Sequence, residues 1–170
     1  MPWADEVTAA FREQDIRLIA YVADRVLAPV IERMAADPYF RLVCLTREEE
    51  GVGVLAGGYL GGMRGALLLQ SSGFGNTLNG FGSLVLPYQI PFVMLMSVRG
   101  GPGEFNVCQV PLGQALPRIL DDLGIPRYDL DRPEAVAPLV RGAGRLAFAT
   151  GKPVALLLST LLTGGKGGRI

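Results

Sequence analysis

Three consecutive glutamates, Glu48, Glu49 and Glu50, stand ahead of the glycine-rich run Gly51 to Gly62. A carboxylate there can do acid–base chemistry or cap a helix. Other groups able to do chemistry sit at comparable punctuation points. They are Asp24, the stretch Ser71-Ser72-Gly73-Phe74-Gly75-Asn76, Arg99 before Gly100-Gly101-Pro102-Gly103, and Gln109. Histidine is absent from the whole chain. That excludes a Ser-His-Asp or Cys-His nucleophile and removes the commonest zinc ligand, so no residue is assigned to a metal. An enzyme made from this chain must rely on carboxylates, an organic cofactor, or residues lent by another chain.

The elements that must position these groups follow an α/β alternation. A helix is predicted over Trp3–Arg12, where Trp3, Val7 and Phe11 share a face, and a strand over Ile16–Val22. Val26, Leu27, Val30, Ile31 and Met34 form one helical face that ends before Asp37-Pro38. Further strands are predicted at Arg41–Leu45, Gly65–Gln70, Pro91–Val98 and Val154–Ser159. The helices between them are placed near Arg47–Gly62, within Ser71–Leu86, and at Leu112–Leu123 and Pro133–Thr150. The expected fold is doubly wound α/β, a mainly parallel sheet with helices on both faces. One domain is expected over 1–162, with a mobile tail over 163–170. In such folds reactive groups gather where strands end. Four predicted strand ends carry polar or glycine-rich residues, and their convergence on one edge of the sheet is the first reason to expect a site.

Each motif also has a plain structural explanation. Thr46-x-x-Glu49 fits a capping box, and Glu48 and Glu50 would favour the positive end of the helix. Six glycines between Gly51 and Gly62 each cost about 0.5–1 kcal/mol against alanine inside a helix. Such a helix needs a compensating close approach by a ligand or another helix. The 71–76 loop fails the dinucleotide fingerprint, because Gly73-x-Gly75 is not followed by x-x-Gly, and a tight strand-to-helix turn is the ordinary alternative.

Composition narrows the class. Hydrophobic residues make up 49%, charged residues 19%, and the formal net charge is zero. Nothing electrostatic points to nucleic acid or an acidic membrane, and the apolar surplus leaves room for an interface with another chain. Cys44 and Cys108 have no metal-like spacing, the N-terminus lacks a signal-peptide pattern, and Pro87, Gln89 and Pro91 interrupt the longest apolar stretch. A cytoplasmic protein is expected.

Glu49 to Tyr59 resembles the E-x(6)-A-x-G-Y pattern of thiamine-diphosphate enzymes, in which the glutamate opens a helix of the pyrimidine-binding domain. Leu67 to Asn76, Met96 to Gly103 and Pro111 to Ile125 continue the resemblance over nearly the whole chain. Together these segments resemble the small α subunits of sulfopyruvate decarboxylase and the matching half of phosphonopyruvate decarboxylase. The resemblance implies a 2-oxoacid decarboxylase subunit of pyrimidine-domain type, with thiamine diphosphate as cofactor. That family holds diphosphate and Mg²⁺ through Gly-Asp-Gly and a downstream Asn, which this chain lacks. A partner β subunit is therefore expected to carry them.

Residue by residue, the resemblance puts Glu49, rather than Glu48 or Glu50, on the pyrimidine nitrogen. It lines the cofactor site with Ser72, Gly73, Phe74 and Asn76. Asp24 stands where relatives have an aspartate after the first strand, here in Val-Ala-Asp rather than Val-Pro-Asp. It is expected to relay a proton or to cap the following helix. Gln109 falls where some relatives place a histidine and is expected to bind the substrate. Arg99 and Ser71 are the further candidates for its anionic groups; for Arg99 the alternative is a structural ion pair or a contact with the partner. Sulfopyruvate is the expected substrate and phosphonopyruvate the alternative. A non-catalytic doubly wound binding module is the rival of another class.

Overall fold

Strict alternation of inward side chains organises the molecule. In the strand Arg64–Gln70, Ala66 and Leu68 belong to one core, whereas Leu67 and Leu69 belong to the other. A strand buried on both faces needs helices on both sides. The computed structural model, which describes residues 1–165, supplies them. In chain order the elements are α1 (Pro2–Glu13), β1 (Ile16–Tyr21), α2 (Ala28–Ala35), β2 (Arg41–Cys44), α3 (Glu48–Leu60) and β3 (Arg64–Gln70). Next come α4 (Phe74–Gly80), which runs into a π-helical turn at Phe81–Val85, and β4 (Val93–Ser97). A 3₁₀ turn (Val107–Gln109) leads into α5 (Val110–Asp122), followed by β5 (Arg127–Leu130), α6 (Pro133–Thr150), β6 (Val154–Leu158) and α7 (Thr160–Thr163).

The six strands form one sheet in the order β2-β1-β3-β4-β6-β5, and every pairing is parallel. Helices α1, α2 and α6 cover one face through Val7, Phe11, Val30, Met34, Val140 and Ala147. Helices α3, α4 and α5 cover the other, with Phe74, Phe81 and Phe92 in edge-to-face contact at its centre. The doubly wound expectation holds.

Two differences from the sequence expectation have simple causes. Strand β5 was not anticipated, because Arg127-Tyr-Asp-Leu130 is an edge strand whose middle residues are exposed. It therefore carries no apolar run. The segment 163–170, expected to be a mobile tail, begins at the last residue of α7; residues 166–170 lie outside the described residues.

Helix α3 matters most for function. A Cβ on Gly51 would stand 2.5 Å from Leu67 Cδ1, and one on Gly58 would stand 2.3 Å from Leu18 Cδ2. These two glycines let the helix lie close against the sheet. Gly53 and Gly57 would meet nothing within 4 Å. With Tyr59 and Leu60 they form an open face, Leu60 being 79% exposed.

Candidate functional site

The chain reverses its direction of travel across the sheet between β1 and β3: β2 is added on one side of β1, and β3 and β4 on the other. Such a switch point leaves a crevice at the carboxyl ends of the strands. Here the crevice is a cleft of about 440 Å³, lined by Val22, Ala23, Asp24 and Arg25 after β1, Glu48 at the start of α3, Gln70 at the end of β3, and Gln109. The expected convergence of strand ends is therefore real.

The three glutamates separate because consecutive helical residues point about 100° apart. Glu50 reaches back to accept the N–H groups of Thr46 (2.9 Å) and Arg47 (3.4 Å), so it, not Glu49, closes the helix start. Glu49 pairs with Arg47 at 2.6 Å, its side chain 40% exposed. Its own backbone N–H, with added help from Arg47, holds the Glu49 carboxyl below the usual range against the opposing effect of burial. Glu48 heads the helix face that continues through Gly51, Val52, Leu55 and Ala56, all buried. It alone of the three lines the cleft, and its Oε2 accepts a hydrogen bond from Asn76 Nδ2 at 2.9 Å. Gly73 makes room for it: a Cβ there would stand 2.1 Å from Glu48 Oε1. The sequence reading chose Glu49; that residue does not line the cleft, but its Oε2 is buried and has no hydrogen-bond partner among the described residues.

The remaining candidates divide. Asp24 and Gln109 line the cleft. Asp24 also accepts the N–H groups of Val26 (2.9 Å) and Leu27 (3.2 Å), so the capping role is real as well. Gly73 and Asn76 reach the cleft through Glu48. Ser72 Oγ accepts from Gln70 Nε2 at 2.5 Å. The Phe74 ring is fully buried against Phe81 and offers no side-chain surface in this chain. Ser71 is also fully buried, its Oγ accepting the Arg99 N–H at 3.0 Å. Arg99 is not a free anion reader. Its side chain is 2% exposed, and its Nε lies 2.9 Å from Glu104 Oε2 and 2.9 Å from Gln109 Oε1.

Two residues of these clusters were not singled out in the sequence. Counting back in threes and fours from Val52 and Leu55 leads to Glu48. Glu104 carried no sequence signal, because only the folded loop brings it to Arg99. Among the described residues, no helix is long and apolar enough to cross a membrane.

No family model matches the chain. It is 35% identical over 158 residues to "Sulfopyruvate decarboxylase subunit alpha" of Methanococcus maripaludis, covering 93% of this chain and 95% of that protein. The protein of the same description in Methanothermobacter thermautotrophicus is 38% identical over 155 residues, covering 91% and 94%. Among solved structures, a 2-oxoglutarate:ferredoxin oxidoreductase from Magnetococcus marinus superposes with a TM-score of 0.76 at 15% identity. That match covers 96% of this chain but 29% of the larger one, and it supports the fold alone.

Proposed function

The chain belongs to the family of sulfopyruvate decarboxylase α subunits, and we propose that it is the pyrimidine-binding half of a thiamine-diphosphate-dependent decarboxylase that converts sulfopyruvate to sulfoacetaldehyde and CO₂. The observation that carries this reading is the Glu48 carboxylate, set in the cleft at the switch point over a glycine that leaves it room. The donor set fits the pyrimidine end of thiamine diphosphate: a carboxylate for the ring nitrogen, with Asn76 steadying that carboxylate from the side. When bound, the cofactor supplies a nucleophilic carbon and a sink for the electrons left by CO₂.

This chain's own contribution is charge and position. A carboxylate at Glu48 would favour the ring tautomer whose exocyclic nitrogen can take up a proton, and Gly73 and Asn76 hold the side chain in place. Asp24, which also lines the cleft, is suited to deliver a proton to the product carbon. Among the described residues there is no cluster of three acidic, cysteine or histidine side chains for a metal. The diphosphate and Mg²⁺ accordingly fall to a β subunit in this proposal. The open face of α3, with Gly53 and Gly57 bare and Leu60 exposed, is suited to receive that subunit.

The test is to co-express the chain with its β subunit and compare two single substitutions in the purified complex. Glu48→Gln is expected to lower turnover at least about a hundredfold, as for a positioned acid–base group, and to weaken thiamine diphosphate binding in a calorimetric titration. Glu49→Gln should stay within about threefold of the unsubstituted complex, the loss of an exposed ion pair. The reverse result would return the role to Glu49. A complex that decarboxylates neither sulfopyruvate nor phosphonopyruvate would refute the enzymatic reading and favour a binding module.

A further inference from the structure

The loop between β4 and α5 holds a buried polar cluster that the chemistry above does not use. Arg99 and Glu104 have side chains 2% and 5% exposed. Arg99 Nε lies 2.9 Å from Glu104 Oε2 and its Nη2 donates to Oε1 at 3.1 Å. Glu104 also accepts the Asn106 N–H at 3.0 Å and the Gly100 N–H at 3.4 Å. The cluster is fastened to its surroundings. Ser71 Oγ accepts the Arg99 N–H, and Gly113 of α5 lies so near that a Cβ there would stand 2.0 Å from the Arg99 carbonyl oxygen. Gly100, at φ +78°, makes the turn this requires.

The pair is neutral overall, and its one remaining contact points at the cleft. Arg99 Nε donates to Gln109 Oε1 at 2.9 Å, and Gln109 lines the cleft. A guanidinium has five N–H donors and no acceptor, so a flipped amide would set N–H against N–H. The amide oxygen is thereby committed to Arg99. The Nε2 amino group is left with no acceptor among the described residues. Toward the cleft Gln109 can therefore only donate. The same cleft is lined by the carboxylates Glu48 and Asp24, so an anion entering there needs a donor to offset them.

We propose that Gln109 donates to an anionic oxygen of the substrate, with Arg99 and Glu104 as the positioning pair that fixes its amide. This rests on the 2-oxoacid decarboxylase reading and names the group that reads the acid.

The experiment uses the complex with the β subunit and sulfopyruvate as the probe. Gln109→Glu keeps the size and the contact with Arg99 but turns the donor into a negative acceptor. We expect kcat/KM to fall about a hundredfold or more, mainly through KM, with Tm and thiamine diphosphate affinity unchanged within about twofold. Arg99→Lys should lower kcat/KM about tenfold by itself, and it should have no further effect in a Gln109→Leu background. A Gln109→Glu complex within about threefold of normal would overturn the proposal, because a reversed dipole at the reading position would then be harmless. So would an Arg99→Lys loss that persists in full beside Gln109→Leu, which would make Arg99 architectural only. If the unsubstituted complex is inactive on sulfopyruvate, phosphonopyruvate and pyruvate, the functional reading falls and this inference with it.

Discussion

Replacing Gly73 by alanine separates the geometry of the site from the stability of the fold. The added Cβ would stand 2.1 Å from Glu48 Oε1, 2.4 Å from its Cδ and 2.7 Å from its Cγ, where real Cβ atoms essentially never come within 3.0 Å. The backbone at Gly73 has φ −70° and ψ −21°, which alanine adopts freely. The collision must therefore be relieved by the Glu48 side chain, the flexible member of the pair, shifting its carboxylate by about 1 Å. A misplacement of about 1 Å at a reacting geometry can cost about a hundredfold in rate, so turnover of the two-subunit complex should fall by that order. Stability should hold or rise slightly, because alanine for glycine in a permitted conformation gives about 0.4–1 kcal/mol. Steady-state rates and thermal melts on the same preparations read the two effects. Gly82→Ala, whose Cβ meets nothing within 4 Å, is the control. Normal turnover in Gly73→Ala would refute the claim that the Glu48 carboxylate must occupy that position. A large fall in Tm would show that the backbone, not the carboxylate, absorbs the clash.

Three further outcomes follow from the same geometry. Gly57→Leu, on the open face of α3, should leave the isolated chain as stable or about 1 kcal/mol more so yet abolish co-purification with the β subunit; intact assembly would clear that face of any interface role. Asp24→Asn keeps the capping oxygen that accepts from Val26 and Leu27, whereas Asp24→Ala also loses about 1 kcal/mol, so a rate loss common to both, measured beside Tm, assigns proton transfer rather than capping. Glu104→Gln should destabilise by about 3–5 kcal/mol at neutral pH, because it leaves the Arg99 charge buried and unmatched. Burial pushes the Glu104 carboxyl up, but the N–H groups of Asn106 and Gly100 together with Arg99 outweigh it and hold it below its ordinary 4.5. The stabilisation it gives is therefore complete above that value and lost as pH falls through the lowered one. Acid unfolding followed by circular dichroism should be less steep below about pH 4.5 in Glu104→Gln than in the unsubstituted chain.

The fold was legible where burial on both faces wrote an uninterrupted apolar run, as in Leu67 to Leu69 and Val93 to Met96. Alternation between strands and helical faces then implied a parallel sheet. Strand β5 escaped for the complementary reason. An edge strand needs only one buried side chain, and Leu130 alone supplies it. Its remaining residues read as loop. The glycines of α3 gave a correct but mixed signal: Gly51 and Gly58 admit the sheet, Gly53 and Gly57 face outward, and composition alone cannot divide them.

The site shows how a helix divides carboxylates that stand side by side in a motif. The pattern from Glu49 to Tyr59 is a spacing along the chain, and a spacing does not say which face of the helix its first residue takes. On a helix one residue is about 100° of rotation, which is the difference between facing Gly73 and Asn76 and facing Arg47. The helix's own buried stripe, Gly51, Val52, Leu55 and Ala56, is continued one turn earlier by Glu48, whereas Glu49 continues the open stripe of Gly53 and Gly57. Arg99 illustrates the opposite limit. Its place at the end of β4 was correctly taken as significant, but its partner, Glu104, lies five residues further along a loop with no periodicity to read. Charge that looks available in a sequence is available in the molecule only if no nearer countercharge claims it, and a loop closed by Gly100 and Gly113 makes that claim.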